Sequence, residues 1–525
     1  MADRVPVVIL RENSSVTSGI EVQQKLTRAA IALANILRRT YGPRGLDKML
    51  SKSNGETSVT NDGAKIISEL LIKHPAAKSF VQLGKSQEAA AGDGVTGCIL
   101  FGAELMQEAG RLLSKGLHPL ILVAGYQKAM EIAVADLEAN AITFETGETK
   151  TTTKIAETAM NGKAAEGSAN HLATIVVEAL ETVYREENGV IRCSSEDVLI
   201  AKGRHNNISS SRLIRGLIIQ KRIELQHMVR KLNNAKVVTI TCPLIIEKTS
   251  RDAEIEISSP DQMTAFLEAE DTILESKAKQ ILDTGANAIF VEGEIEKRLI
   301  HRLSDAGCFV MGNLERQEIE HLSSACNTTI VDHLEDLSVD NLGTISNLEV
   351  VRSEGVEGVE EKIIIEGCSE PKVVTIEVGG ANNTAIEETI RAVYDSLRAT
   401  SEAMICGNIS AGGGYPHASA AMAVRIAAEA EAGRERLAME AYARALETIP
   451  STLATNSGAD ALDRLLELRA ALRNKQVVGI TAEGKVGETS DYPSPTTSIS
   501  HAWKAATEIA TVLLRVDQVI SARGD

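Results

Sequence analysis

Apolar residues recur at three- and four-residue spacing toward both ends of the chain, whereas the middle contains short β-branched runs. The helical pattern covers Gly19 to about Asn140 and returns from about Ile409 onward, as in VQQKLTRAAIALANILRRTYG and SISHAWKAATEIATVLLRVDQVI. The middle offers AKVVTITCPLII, NAIFVEG, KIIIEGC and KVVTIEVGG, most of them alternating with helical stretches, which is typical of an α/β module. The simplest interpretation is one helical domain made from both ends with an α/β domain inserted, but composition alone also allows two independent helical domains.

Two connecting segments, at roughly 148–214 and 366–401, would cross between the helical and the α/β domain. A pair of such crossings forms a natural hinge. The pattern therefore predicts a multidomain protein with helical and α/β parts joined by a hinge region.

Composition narrows the class of protein further. At roughly 150 residues per domain, the 525 residues suggest about three or four domains, and 43% hydrophobic residues suffice for a core. Aromatic residues make up only 3%, so we expect a core of Ala, Val, Ile and Leu in closely packed helices. The net charge of −17, without a Lys/Arg run longer than two, argues against nucleic acid as a partner.

The cysteines and the first residues of the chain indicate the cellular compartment in which we expect the protein. Seven cysteines are scattered without a C-x-x-C motif, which indicates neither a disulfide framework nor a zinc ribbon and fits a reducing compartment. The start MADRVPVVILREN has a short apolar run bounded by charges, so no signal peptide is predicted. No apolar run approaches the ~18 residues of a membrane span. We therefore expect a cytoplasmic protein without a membrane partner.

Two acidic turns are candidates for chemistry: TNDGA at 60–64, before the helix AKIISELL, and GDGVT at 92–96, opening the helix TGCILFGAELM. Glycine lets a backbone approach a ligand, and the free N–H groups of a helix start can hold a phosphate. An aspartate at such a turn can ligate a magnesium ion that bridges phosphate oxygens. The alternative for each turn is a helix cap followed by a turn-forming glycine.

Two glycine-containing loops add to this pattern. The loop TYGPRGLDK at 40–48 follows a long helix, and AGGGYP at 411–416 precedes another. Gly-Pro after a helix is a common terminator. Three glycines cost about 0.5–1 kcal/mol each relative to Ala in regular structure, so either close packing or a ligand requires them. The sequence lacks the G-x-x-x-x-G-K-[ST], G-x-G-x-x-G, H-E-x-x-H and G-x-S-x-G motifs.

These motifs, occurring together in this order, indicate a protein family more specifically than any one of them does alone. The chain resembles the group II chaperonins, which comprise the archaeal thermosome and the related eukaryotic cytosolic chaperonin. The resemblance rests on PVVILRE, YGPRGLDKML, TNDGA, HPAAK, GDGVTG, GLHPLILVAGY, TAMNGKAAE, SPDQMTAFLEAED, AGGG and ATEIATVLLRVDQVI, and it spans essentially the whole chain. The pair YGPRGLDKML and TNDGA at this spacing is the strongest part of it.

The resemblance implies a three-domain subunit with a helical equatorial domain, a hinge-like intermediate domain and an inserted α/β apical domain with a built-in lid. The implied boundaries are 1–147 and 402–525 for the equatorial domain, 148–214 and 366–401 for the intermediate domain, and 215–365 for the apical domain, with the lid at about 245–282. It also implies an ATP-dependent chaperone in a double ring of identical or paralogous subunits that encloses unfolded proteins.

The resemblance further implies an ATP/ADP site with Mg²⁺ in the equatorial domain. The positions implied to contact the phosphates are Gly42 with Pro43 in the phosphate loop and Gly94, Val95, Thr96 and Gly97 at the phosphate-binding helix start, and Gly414 would lie on the pocket wall. Asp93 is the implied magnesium ligand, Asp62 would lie near the γ-phosphate, and Lys163 would sense the γ-phosphate. Asp395 would be the carboxylate that activates the attacking water. Because Asp395 and Asp93 would lie on different domains, hydrolysis would wait for domain closure.

Four positions depart from the family pattern, and all of them would surround the nucleotide. Val95 stands within a turn that usually reads GDGTT, Gly97 follows that turn directly after Thr96, and His417 stands where an acidic residue is usual. Ser494 replaces the carboxylate near the ribose, for which Asp491 is the candidate substitute. These changes imply weaker binding, slower turnover or an altered base preference, while the retained aspartates argue for hydrolysis. The alternative is a weakly hydrolysing or nucleotide-binding regulatory subunit that acts with an active paralogue.

The segment SPDQMTAFLEAED opens a helix with a cap and an N1 proline, Ser259-Pro260. Apolar residues follow at near-helical intervals, namely Met263, Phe266, Leu267, Leu274 and Ile281. Such a stripe usually packs into a core. The resemblance instead implies a protruding lid, in which exposed Met and Phe would contact unfolded chains or neighbouring lids.

Overall fold

Both ends of the chain fold into the same compact unit. The computed structural model describes residues 14–51, 57–72, 74–145, 147–163, 166–188, 190–203, 207–246, 260–355 and 358–522. The first unit comprises the described residues of Met1–Val177 and Asn383–Asp525, and the second comprises those of Glu178–Asn382. The mixed helical and α/β fold class is confirmed.

The helices are α1 (Ile20–Arg38), α2 (Gly63–Glu69), α3 (Pro75–Ala91), α4 (Val95–Leu113), α5 (Pro119–Ala139), α6 (Thr149–Met160), α7 (Ala169–Val183), α8 (Pro260–Asp283), α9 (Lys297–Asp305), α10 (Arg316–Cys326), α11 (Asn383–Cys406), α12 (Tyr415–Ala430), α13 (Glu435–Leu446), α14 (Thr448–Asn456), α15 (Ala461–Arg473) and α16 (Thr496–Leu514). Within the described ranges, none of these helices is both long and apolar enough to cross a membrane.

The strands are β1 (Ser14–Ser18), β2 (Lys48–Ser51), β3 (Thr57–Thr60), β4 (Ile142–Thr143), β5 (Arg185–Glu187), β6 (Val190–Arg192), β7 (Val198–Lys202), β8 (Arg212–Ile214), β9 (Gly216–Ile219), β10 (Lys231–Ile240), β11 (Ala288–Val291), β12 (Phe309–Met311), β13 (Gly343–Gly355), β14 (Gly358–Glu366), β15 (Val374–Val378), β16 (Asn408–Ser410), β17 (Gly479–Ile480), β18 (Val486–Gly487), β19 (Ser494–Pro495) and β20 (Gln518–Ala522). Strand β1 pairs antiparallel with β20, and β2 pairs antiparallel with β3.

The core of the first unit is a helical layer in which α4 packs against α1, α3, α13 and α16. Small residues let these helices approach closely: a Cβ added to Gly125 on α5 would lie 2.5 Å from Ala438 Cβ on α13. The few aromatic rings fill the remaining space, and Phe101 meets Tyr442 edge-on with centroids 5.4 Å apart. Trp503, the chain's single tryptophan, is completely buried in this core.

The second unit contains a six-stranded sheet in the order β12-β11-β10-β13-β14-β9. Strands β10, β11 and β12 run parallel, while β13, β14 and β9 add antiparallel pairings. Side chains of α8, α9 and α10 share its buried core. A separate three-stranded sheet has the order β7-β15-β8. The β-branched runs of the sequence thus form buried strands, because both faces of the central strands are covered.

Helix α8 divides the predicted apolar stripe into two parts. Leu274 and Ile281 are fully buried in the core of the second unit, as a core stripe predicts. Met263, Phe266 and Leu267 are 40–46% exposed, as a protruding segment predicts. Of the predicted lid at about 245–282, positions 247–259, including the Ser259 cap, lie outside the described residues.

Candidate active site

A cavity of about 370 Å³ lies within the first unit, and segments from widely separated parts of the chain form its walls. The predicted site residues on its lining are Gly42, Pro43, Asp62, Asp93, Gly94, Val95, Thr96, Gly97, Lys163, Asp395 and Gly414. The structure therefore brings together all of the predicted site residues except Asp491.

Three of the helices that begin at the wall of this cavity have an aspartate or a glycine at the N-cap. Their N-cap residues are Asp62 for α2, Gly94 for α4 and Gly414 for α12. Gly94 and Gly414 have φ angles of 83° and 77°, and neither helix start has a side-chain cap. The first amide groups of α4 are therefore available to a ligand, whereas at α12 the Tyr415 N–H donates to the Gly412 carbonyl oxygen at 3.2 Å and Pro416 has no N–H. The positive end of each helix dipole favours an anion.

The loop after α1 is shaped by close contact with α14. Gly42 has a φ of +88°, and a Cβ added there would lie 2.4 Å from Leu453 Cδ2. Asn456 Nδ2 donates hydrogen bonds to the carbonyl oxygens of Tyr41, at 2.7 Å, and Arg38, at 2.9 Å. These contacts fix the end of α1 and leave the backbone at Gly42 facing the cavity without a side chain.

The three glycines before α12 are each required by packing. An added Cβ would lie 2.2 Å from the Tyr492 carbonyl oxygen at Gly412, 2.8 Å from the Ile480 backbone at Gly413 and 3.0 Å from Pro450 at Gly414. All three glycines also line the cavity. Close packing and the approach of a ligand are therefore compatible at this turn.

The charged groups of the cavity centre on one lysine. Lys163 Nζ lies 2.6 Å from Asp395 Oδ2 and 4.0 Å from Asp93 Oδ1. Burial raises the pKa of Asp395 to about 7, the charges of Asp93 and Asp62 add to this, and Lys163 opposes it. Burial disfavours the charge of Lys163, but the surrounding carboxylates prevail and raise its pKa. Asp395 is thus poised to change protonation state near neutral pH.

Asp62 and Asp93 differ in their local role. Asp62 caps α2, since its Oδ1 accepts from Ala64 N at 2.9 Å and its Oδ2 accepts from Lys65 N at 3.3 Å. The helix-cap alternative therefore describes Asp62, although this residue also lines the cavity. Asp93 does not cap α4, and its side chain is 45% exposed. Its carboxylate remains accessible to a cation.

The four departing residues also lie on the lining, as the sequence predicted. Val95 is buried, and the Tyr41 ring lies 3.3 Å from the position of a Cβ added to Gly97. Burial lowers the pKa of His417 to about 3, so this imidazole is neutral. Ser494 faces the cavity from β19. At the start of α4, the cavity wall therefore carries a valine side chain where the motif implied by the resemblance has a hydroxyl.

Asp491 was predicted to replace the ribose carboxylate, but the structure does not place it on the cavity lining. Its exposed carboxylate pairs with Lys154 on α6, and this ammonium group lowers the pKa of Asp491. Neighbouring residues 492–495 do line the cavity. The side chain of Asp491 therefore points along the surface in this structure.

Two polar residues near the end of α3 belong to the site although the sequence motifs did not point to them. Glu88 lines the cavity, and burial together with the charge of Asp62 raises its pKa. Gln87 is fully buried, and its Nε2 donates to the Asp93 carbonyl oxygen at 3.0 Å. Its Oε1 lies 2.8 Å from His501 Nδ1. The signal was available, because both polar residues precede the GDGVT turn by about one helical turn.

The comparisons with known proteins agree with this architecture. Residues 33–524 match the TCP-1/cpn60 chaperonin family. The chain is 37% identical over 521 residues to a thermosome subunit of Methanopyrus kandleri, covering 98% of this chain and 95% of the relative. It is 37% identical over 520 residues to thermosome subunit beta of Methanothermobacter thermautotrophicus, and 34% identical over 523 residues to thermosome subunit alpha of Archaeoglobus fulgidus, covering 98% and 99% of this chain and 95% of each relative.

The chain therefore belongs to the TCP-1/cpn60 chaperonin family. Within that family it is a group II chaperonin, similar along nearly its full length to archaeal thermosome subunits. The group II chaperonins are ATP-dependent chaperones that act as double rings, so the predicted functional class is confirmed.

Proposed function

We propose that this subunit binds ATP with Mg²⁺ in the cavity of the first unit, hydrolyses it to ADP, and uses the cycle to close a double-ring chamber around unfolded proteins. The observation that carries the proposal is the convergence of the uncapped start of α4 and several carboxylates on one cavity. Either feature alone is common in proteins. Together they provide both an anion site and a cation site at the same place.

The start of α4 would hold the phosphates through backbone N–H groups, because no side chain caps this helix. The loop at Gly42 would approach a phosphate with its own backbone. This arrangement does not depend on a hydroxyl at position 95. Phosphate binding through amides therefore survives the departure at Val95.

The residues present also fit a magnesium ion. Mg²⁺ prefers carboxylate, phosphate and water oxygens, and the cavity lining carries Asp62, Glu88, Asp93 and Asp395. Asp93 is the best ligand of the four because its carboxylate is accessible and caps no helix. When bound, the ion would neutralise charge that develops on the phosphoryl group.

Asp395 would accept a proton from the attacking water. A general base works best when its pKa lies near the operating pH, and burial has raised the pKa of Asp395 to about 7. The hydrogen bond from Lys163 fixes the carboxylate in one orientation. Lys163 would also respond to a γ-phosphate, since the ion pairs of its ammonium group with described residues are to carboxylates of the same site.

The exposed Met263, Phe266 and Leu267 on α8 support binding of unfolded chains. Flexible methionine and flat aromatic rings adapt to many apolar partners. Identical or paralogous subunits would complete the rings, as the thermosome subunits alpha and beta among the relatives suggest.

The test measures ATP turnover, nucleotide binding and particle shape for the purified chain. We expect Mg²⁺-dependent hydrolysis that Asp395→Ala abolishes, and electron micrographs with rings that close when ATP is added. A monomer, or a chain that binds no nucleotide, would contradict the proposal.

A second candidate is a regulatory subunit that binds nucleotide with little turnover beside an active paralogue. The departures at Val95, His417 and Ser494 on the cavity lining favour it. Nucleotide binding by the purified chain without hydrolysis, followed by hydrolysis after mixing with a paralogue, would support this alternative.

A further inference from the structure

Arg398 connects the helix that carries Asp395 to the turn that carries Asp93. It lies on α11, three residues after Asp395, and its Nη2 donates a hydrogen bond to the Ala89 carbonyl oxygen at 2.6 Å. Ala89 belongs to the last turn of α3, whose carbonyl groups lack partners within the helix. A cation at this end also complements the helix dipole. The contact therefore joins α11 to the end of α3.

The stem of Arg398 makes a second contact, with Gly92. This glycine ends α3 with a φ of +70°, and its N–H donates to the Glu88 carbonyl oxygen at 2.9 Å. A Cβ added to Gly92 would lie 2.4 Å from Arg398 Cβ and 2.6 Å from its Cδ. The arginine stem thus rests directly on the backbone of the residue before Asp93, and any side chain at position 92 would displace it.

The guanidinium group is itself held in place by its own helix. It lies 5.7 Å from the centroid of the Tyr394 ring, and its Nη1 lies 3.4 Å from the Tyr394 hydroxyl oxygen. Tyr394 directly precedes Asp395. A cation over an aromatic face loses part of its rotational freedom before it makes further contacts. Arg398 is therefore a preorganised bridge rather than a mobile surface charge.

We propose that Arg398 is a positioning residue for ATP hydrolysis: by seating α11 on the turn at Gly92, it fixes the carboxylate of Asp395 relative to that of Asp93. The inference rests on the proposed hydrolysis in this cavity. Catalytic groups lose about 100-fold in rate when they are misplaced by about 1 Å, and a contact one helical turn from Asp395 controls displacements of that size.

The test compares steady-state ATP turnover of the full-length chain with that of Arg398→Ala and Arg398→Lys. We expect Arg398→Ala to lower kcat at least tenfold, about 1.4 kcal/mol, while KM for ATP changes by less than about threefold. Lysine keeps the stem and a donor, so Arg398→Lys should recover most of the loss. Arg436→Ala, which removes an exposed arginine paired with Glu440 on α13, is the matched control and keeps wild-type kcat.

Gly92→Ala perturbs the same contact from the other side. We expect it to lower kcat as Arg398→Ala does, whereas Gly458→Ala, at a glycine of similar φ with open space around it, controls for backbone strain alone. A double-mutant cycle with Asp395→Asn separates positioning from general destabilisation, because Arg398→Ala should have little further effect once the carboxylate is gone.

Two outcomes would overturn the inference while leaving the proposed function intact. The first is that the wild-type chain hydrolyses ATP and the Arg398→Ala variant does so with the same kcat. The other is a loss of kcat by the same factor with and without the Asp395 carboxylate. Absence of hydrolysis in the wild-type chain itself would overturn the proposed function and this inference with it.

Discussion

Replacing Asp395 by asparagine keeps the shape of the side chain and removes its charge. The side chain is 16% exposed, and burial raises its pKa from the usual 3.8 to about 7. The folded chain therefore holds this proton to a higher pH than the unfolded chain does. Below pH ~4 the carboxyl group is protonated in both states and does not lower the free energy of unfolding. As the pH rises from about 4 to about 7, only the unfolded chain releases the proton, so the free energy of unfolding falls. Above about pH 7 the loss is complete and amounts to up to about 4 kcal/mol.

We therefore expect Asp395→Asn to stabilise the nucleotide-free chain at pH 8 and to do so much less at pH 5. The difference in the free energy of unfolding between variant and wild type should grow by about 2–3 kcal/mol across that range. Urea denaturation in EDTA, followed by the fluorescence of the single buried Trp503, measures it within the unit that contains the cavity. The same variant should lose at least about 100-fold in kcat, because it lacks a general base.

Asp491→Asn is the matched control, since that carboxylate is exposed and its pKa is lowered by Lys154 rather than raised by burial. The difference in the free energy of unfolding between Asp491→Asn and wild type should not grow between pH 5 and pH 8. If Asp395→Asn lowers the free energy of unfolding equally at both pH values, the pKa of Asp395 is not raised in the folded chain and the prediction is wrong.

Three further perturbations test other parts of the unit that contains the cavity. Glu447→Gln removes a buried charge shared by two arginines, and we expect the free energy of unfolding to fall by about 3–5 kcal/mol in urea denaturation. Glu440→Gln, on an exposed pair, changes it by less than about 1 kcal/mol. Gly42→Ala puts a methyl group 2.4 Å from a side chain of α14, so we expect KM for ATP to rise at least about tenfold, with Gly458→Ala as the control for strain. Asp491→Asn should leave KM for ATP within about twofold, and a tenfold rise would show that it contacts the nucleotide.

The sequence predicted helical ends and an α/β middle, but it did not predict how the two chain ends pack together. Helical periodicity depends on neighbouring residues and is visible locally, so the helices of both ends were predictable. Whether these ends form one unit or two depends on pairings across the whole chain. The antiparallel pairing of Ser14–Ser18 with Gln518–Ala522, and the hydrogen bond of Gln23 Nε2 to the Val516 carbonyl oxygen at 2.7 Å, join them. No local pattern encodes such contacts.

The candidate site was predictable where backbone geometry defines it. Turns that need glycine at positive φ, such as Gly42, Gly94 and Gly414, leave a clear trace in the sequence. The direction of a loop side chain leaves none. Asp491 lies in a loop without periodicity, and a lysine on another helix draws it away from the cavity.

The stripe on α8 shows a related limit. Periodicity marks a helical face as apolar but does not show how far along the helix a partner covers that face. In this chain Leu274 and Ile281 belong to the buried core of the second unit, whereas apolar side chains on the preceding turns are exposed. A single stripe thus serves the core at one end and remains exposed at the other.

We expect the departures from the family motif to affect nucleotide binding more than the chemical step. Val95, Gly97, His417 and Ser494 all lie on walls that would contact the nucleotide, and none is an acidic or basic group that moves a proton near neutral pH. The charged groups near the proposed point of attack, Asp93, Lys163 and Asp395, remain in mutual reach. Because the backbone amides at the uncapped start of α4 remain on the cavity wall, loss of a side-chain hydroxyl removes one contact among several. We therefore expect this subunit to differ from its relatives in KM for ATP rather than in kcat at saturation. A Val95→Thr variant that lowers KM without raising kcat would support this separation, whereas a rise in kcat at unchanged KM would show that the hydroxyl acts in the chemical step.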